Sequence, residues 1–129
     1  MNYRIGRMIK DAYFRVRTYY PVKINSFRFQ CDPQNRRFWR SVSKGRWESD
    51  TFHIFEKYLD SDFICCDIGA WIGPTTLYAA RKCKKVYCFE PDMVAYRSLL
   101  KNIYSNSLYN VIPLNVALTP KSGIREMSS

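Results

Sequence analysis

Residues 63–74 constrain this chain more than any other segment. A continuous apolar run, Phe63-Ile64-Cys65-Cys66, passes into Asp67-Ile68-Gly69-Ala70-Trp71-Ile72-Gly73-Pro74. A run of that kind fits a strand covered on both faces, and a glycine-bearing turn with proline in the first helical turn is how such a strand hands over to a crossover helix. The alternation then repeats. Leu77 and Ala80 face inward on a helix that lasts until Lys84-Lys85, and residues 86–89 form a second strand closed by Glu90-Pro91. Asp92 can cap a helix whose Met93, Tyr96, Leu99, Leu100 and Ile103 share one side, with its exit at Asn106 or Asn110. Residues 111–118 read as a third strand, followed by a turn at 119–123. The order β-α-β-α-β with right-handed crossovers predicts an α/β fold: a parallel sheet with helices on both faces.

Upstream, the pattern changes. Phe52, Phe55, Tyr58 and Leu59 predict a helix from Ser49 that stops at Asp60-Ser61-Asp62. Residues 22–47 hold short alternating stretches, Val22-Lys23-Ile24 and Phe27-Arg28-Phe29, broken by Asp32-Pro33 and Lys44-Gly45, which predict a small hairpin or irregular strands. Before them Ile5, Met8, Ile9, Ala12, Tyr13, Val16, Tyr19 and Tyr20 recur at helical spacing among arginines and lysines, an amphipathic helix ending before Pro21. The net charge of +10 lies wholly in this part: residues 1–46 hold 12 Lys/Arg and two acids, whereas residues 47–129 hold nine of each. The chain therefore divides into a basic N-terminal extension, residues 1–46, and a charge-balanced domain, residues 47–129. The extension could meet an anionic partner, such as lipid headgroups, nucleic acid or an acidic glycan, or serve as a solvated basic face packed on the domain.

Composition excludes several classes. No apolar run reaches the roughly 18 residues of a membrane-spanning helix. Five cysteines without a C-x-x-C pair, and a single histidine, supply neither a disulfide framework nor a zinc cluster, so no metal site is expected and the thiols read as reduced, hence cytoplasmic. Cys65 and Cys66 are expected to pack on a buried strand, Cys31, Cys83 and Cys88 to be free thiols, and His53 to have a surface or interhelical role. Glu48 is expected as a helix-start acid rather than a residue at a ligand mouth.

The chemistry concentrates at the strand ends. Gly69 permits a tight turn, Gly73 lets the helix start lie close to the sheet, and the N–H groups there attract a carboxylate or phosphate. Glu90 stands 23 residues after Asp67 at the next strand tip, where a carboxylate can accept both hydroxyls of a ribose. A dinucleotide site wants G-x-G-x-x-G, but Trp71 occupies the middle position and Asp67 would repel a pyrophosphate. An acid there suits the cationic amino group of S-adenosylmethionine instead.

Four blocks in order, Asp67-Ile68-Gly69-Ala70-Trp71-Ile72-Gly73, Phe89-Glu90-Pro91-Asp92, Leu100-Lys101-Asn102-Ile103 and Asn115-Val116-Ala117-Leu118, resemble the FkbM-type S-adenosylmethionine-dependent methyltransferases over residues 47–123. The resemblance implies a Rossmann-like class I methyltransferase fold and methyl transfer to a hydroxyl of a sugar or natural product. It places Asp67, Gly69, Ala70 and Gly73 around the methionine part of the cofactor, Glu90 on the ribose, and Asn115, Val116 and Ala117 along the adenine. The acidic Ile-Asp-x-Glu-Gly strand of that family does not follow, so the sheet is expected to be truncated after its third strand and the chain to be an inactive cofactor-binding half. The residues name no catalytic base. A non-catalytic binding module whose basic arm contacts an anionic surface is the alternative. Nucleic acid is the less favoured acceptor, because the basic excess lies in the extension and not around the motifs.

Overall fold

A computed structural model describes residues 18–124. The expected N-terminal amphipathic helix falls mostly outside the described residues, and its last turn is replaced. Tyr20 and Pro21 instead open strand β1, Tyr20–Ile24, which pairs antiparallel with β2, Phe27–Cys31. The two-residue connection turns at Asn25, whose φ of 49° is the left-handed conformation such hairpins require. Val22, Ile24, Phe29 and Cys31 are buried while Lys23, Arg28 and Gln30 point to solvent, so the alternation in the sequence is the alternation of the ribbon.

Beyond the hairpin the chain forms a helix that the sequence pattern did not reveal. Asp32 accepts the Gln34 N–H at 3.1 Å and starts a single 3-10 turn, and α1, Arg36–Ser43, follows. Only Trp39 and Val42 of α1 are buried, and Gly45, at φ 64°, closes it with its N–H on the Val42 carbonyl at 2.9 Å. Helix α2, Ser49–Tyr58, forms where expected. Phe52 is its buried anchor, Phe55 and Leu59 pack at the margin, and Tyr58 is exposed rather than part of the inward side.

The second half has the expected alternation: β3 (Ile64–Ile68), α3 (Pro74–Lys82), β4 (Lys85–Phe89), α4 (Met93–Ser105) and β5 (Val111–Leu114). The strands run parallel in the order β3-β4-β5. Because that order advances in one direction and crossovers are right-handed, α3 and α4 fall on the same face. Val86, Cys88 and Val111 are buried beneath them. The opposite face, with Ile64, Cys66 and Ile68 of β3 and Leu114 of β5, is exposed, which corrects the expectation of helices on both faces and of packing at Cys66. On α4 the inward residues are Ala95, Leu99, Asn102 and Ile103, while Met93 is exposed.

Strand β5 stops four residues earlier than the apolar pattern predicted. Its partner β4 ends at Phe89, and beyond Leu114 the Asn115 side chain turns to donate to the Glu90 and Pro91 carbonyls at 2.8 and 3.1 Å. A strand continues only while a neighbouring backbone offers hydrogen bonds. The hairpin lies against α3 and α4 through the Asp32 N–H to Asn102 Oδ1 (2.7 Å), reciprocal bonds between Asn106 and the Gln30 backbone (2.8 Å each), and the Phe27 ring on Tyr78. Val22, Phe29, Trp39 and Phe52 thereby share one apolar core with Leu77, Tyr78, Leu99 and Ile103.

Candidate functional site at the strand ends

The turn after β3 alternates left-handed residues: Gly69 at φ 78°, Trp71 at 50° and Gly73 at 94°. The Gly69 and Ala70 N–H groups both donate to the Phe89 carbonyl, at 2.9 and 3.0 Å, which folds the turn over the end of β4. The two glycines serve different ends. A Cβ on Gly69 would meet nothing within 4 Å, so open space lies beside that backbone. A Cβ on Gly73 would stand 2.6 Å from Leu99 Cδ1, so this glycine lets the start of α3 approach α4 rather than the sheet.

Asp67, half-buried near the end of β3, accepts the hydroxyls of Thr75 and Thr76 on Oδ2 at 2.7 and 2.5 Å. It thus holds the first turn of α3. Glu90 is buried at the tip of β4, and its carboxylate bridges two loops, accepting the Trp71 N–H on Oε2 at 2.7 Å and the Asp92 N–H on Oε1 at 2.8 Å. Asp92 caps α4 by accepting the Ala95 N–H at 2.7 Å. Together with the Asn115 clamp, these contacts gather Asp67, Gly69, Ala70, Gly73, Glu90 and Asn115 at the C-terminal edge of three adjacent strands, where open α/β sheets take their ligands. Val116 and Ala117 follow on the exposed segment just past β5.

Sequence reasoning missed the aromatic residues that back the turn. Trp71, 42% exposed as a residue, meets the Phe38 ring of α1 edge-to-face at 4.6 Å, and Phe38 in turn meets Trp47 at 5.1 Å. Only the folding of α1 brings Phe38 there, and no local pattern announced it. Glu48 accepts the Thr51 hydroxyl at 3.2 Å at the start of α2, in keeping with a helix-start acid. His53 is exposed, on a separate cavity bounded by the β1-β2 turn and the end of α1. Among the described residues, no group of three or more His, Cys, Asp or Glu is placed to hold a metal ion, and no helix is long and apolar enough to cross a membrane.

No family profile and no curated protein matches this chain. Solved structures do. The complex of aTrm5 with tRNALeu superposes with a TM-score of 0.55 at 25% identity, covering 78% of this chain and 28% of that one. The tRNA m1G37 methyltransferase of M. jannaschii gives 0.54 at 25% identity, covering 77% and 30%. SMU.1697c from Streptococcus mutans, solved with SAH, gives 0.50 at 23% identity over 54% and 40%.

The fold is that of the class I methyltransferases.

This chain spans between 28 and 40% of the length of these three structures. Coverage of 78% of the chain by a class I methyltransferase structure reaches into residues 1–46, so the superposition is not confined to the β-α-β-α-β unit.

Proposed function

We propose that this chain forms the cofactor-holding part of an S-adenosylmethionine-dependent methyltransferase. The observation that carries the reading is Glu90: a buried carboxylate at the β4 tip, tied to the glycine turn through the Trp71 N–H. Each carboxylate oxygen can accept two hydrogen bonds, and the two backbone N–H groups use one on each, which leaves one acceptor site per oxygen for the two hydroxyls of a ribose. The open space beside Gly69 fits a ligand lying on the turn. In this assignment Asp67, Gly69, Ala70 and Gly73 surround the methionine part, Glu90 holds the ribose, and Asn115, Val116 and Ala117 border the adenine. Bound there, the cofactor supplies a methyl group on a positively charged sulfur, open to displacement by an acceptor lone pair. The chain's own contribution is position: Asp67 fixes the start of α3, and Glu90 and Asn115 fix the turn and the loop after β4.

The finer reading is an FkbM-type enzyme that methylates a hydroxyl oxygen of a sugar or natural product, supported by the four sequence blocks. A nucleic-acid acceptor is supported by a different observation, the superposition on two tRNA-linked structures over more than three quarters of this chain. That likeness stands against the expectation that nucleic acid is the less favoured acceptor. The activity is proposed for a protein that contains this unit, since the matched structures are much longer; on its own the unit is proposed to bind without turning over. A reduced, cytoplasmic setting is supported by five unpaired cysteines, and contact of the basic N-terminal arm with anionic membrane is part of the proposal.

Calorimetric titration with S-adenosylmethionine tests the reading. Wild-type chain should bind, and Glu90→Ala should lose about 1.5–3 kcal/mol of affinity, the scale of hydrogen bonds to a charged group. Equal affinity in the two proteins, or no binding by wild type, refutes it.

A further inference from the structure

The crevice in front of the Phe38–Trp71 pair has no part in the cofactor assignment. It is an open depression of about 480 Å³ lined by Gln34, Asn35, Arg36, Arg37, Phe38 and Trp71. Clefts that take small ligands run from roughly 300 to 1,000 Å³, so the space suits one ligand unit of moderate size. We propose that this crevice is the acceptor-recognition site and that it receives a nucleotide of a single-stranded RNA segment. The inference rests on the methyltransferase reading and names the acceptor class.

Position comes first. The transferable methyl group belongs to the methionine part of the cofactor, which the assignment above lays along residues 69–73. The acceptor site is therefore sought beside the turn rather than beside Asn115. Trp71 lies in the middle of that turn: its backbone N–H is bonded to Glu90, and its side chain forms the wall of the crevice. The crevice thus abuts the cofactor site through a single residue.

Chemistry comes second. Arg37 is exposed on the first turn of α1, and its guanidinium group matches phosphate oxygens with paired N–H donors. The Trp71 and Phe38 rings offer aromatic faces on which a base can stack, and the Gln34 and Asn35 amides offer donors and acceptors for base edges. Asp32, the one acid of residues 18–46, is buried against Lys101 at 3.1 Å. Phosphate would meet no unpaired acid among the residues that line the crevice.

Strain is the third observation. Trp71 holds φ at 50°, a conformation costly for a bulky side chain, and the residue stays 42% exposed. Strain kept at a partly exposed position beside a ligand turn marks a residue held for contact. Base stacking supplies that contact.

The test is fluorescence anisotropy of the full chain with a fluorescein-labelled single-stranded RNA dodecamer, over a series of salt concentrations. Trp71→Leu should weaken binding by roughly fivefold or more with the salt slope kept, because stacking is lost and no ion pair is. Arg37→Ala should weaken binding and lower the slope of log K against log salt by about 0.7, the release of one counterion equivalent from a single strand. Lys44→Ala, at the far end of α1, should change affinity less than about twofold. The proposal is overturned if Trp71→Leu binds like wild type, if Lys44→Ala costs as much as Arg37→Ala, or if a heparin tetrasaccharide binds through Arg37 and Trp71 while RNA does not. Arg37 is exposed, so its variant should keep the wild-type melting temperature, which keeps the test valid even if Trp71→Leu is unstable. Titration of wild type with S-adenosylmethionine separates the two readings. RNA binding with this residue dependence but no cofactor binding sustains the crevice and removes the methyltransferase, whereas cofactor binding without it does the reverse.

Discussion

Replacing Gly73 by alanine isolates the contact that sets how closely α3 and α4 pack. The new Cβ would lie 2.6 Å from Leu99 Cδ1, about 1 Å inside ordinary carbon contact, and Leu99 is wholly buried. Overpacking of a filled core costs about 1–3 kcal/mol. The residue also holds φ at 94°, which an L side chain adopts at a further cost of about 1–3 kcal/mol. Gly73→Ala should therefore lose about 2–6 kcal/mol in urea unfolding, seen as a lower midpoint with the slope unchanged. Gly69→Ala has the conformational term alone, since nothing lies within 4 Å of its added Cβ, and should lose about 1–3 kcal/mol. The double-mutant cycle with Leu99→Ala is decisive: removing the Leu99 methyl groups should return about 1–3 kcal/mol of the Gly73→Ala cost and none of the Gly69→Ala cost. If Gly73→Ala costs the same in both backgrounds, or no more than Gly69→Ala, the close approach of α3 to α4 is not what requires glycine. On the ligand side the order reverses, and Gly69→Val should abolish binding of S-adenosylmethionine while far-UV helicity stays largely intact.

Two further outcomes follow from buried groups. Burial, and after it a hydrogen bond to Glu56, push the Tyr78 phenol up to about 12, so the neutral form stabilises the fold below the unfolded value near 10, and that increment is lost as pH rises from about 10 through 12. The stability advantage of wild type over Tyr78→Phe should shrink by about 1 kcal/mol between pH 8 and pH 11, and an advantage constant over that range would contradict it. For the thiols, Cys66 is exposed on the open sheet face, whereas burial raises the Cys65 thiol to about 11 and that of Cys88 to about 12, and holds those of Cys31 and Cys83 high as well. Iodoacetamide under native conditions should alkylate Cys66 first by mass mapping. Comparable labelling of Cys31 or Cys88 would show that the core is not closed.

The local sequence determined the elements whose signals are local. The strand of residues 64–68, the turn at Gly69 and Gly73, proline in the first turn of α3, the Asp92 cap of α4 and the place of Glu90 at a strand tip all follow from periodicity, backbone preference and spacing within about 30 residues. The parallel sense of the three strands followed too, because handedness leaves few ways to connect them, but their order, which puts both helices on one face, did not. Tertiary structure decided the rest. Helix α1 buries only Trp39 and Val42 in eight residues, too little for its period to stand out from a basic, irregular stretch, and it exists because the hairpin gives those two side chains a core to enter. The apolar residues after Leu114 look like strand in isolation, yet β4 ends at Phe89 and leaves them no partner. The partners of Glu90 and Asp67 were likewise invisible, as was the meeting of Trp71 with Phe38 from 33 positions upstream. A pattern read along the chain records what each residue prefers. Which face of a sheet is covered, and which side chains meet across a turn, depend on contacts between segments far apart in sequence, and those are set only when the chain closes on itself.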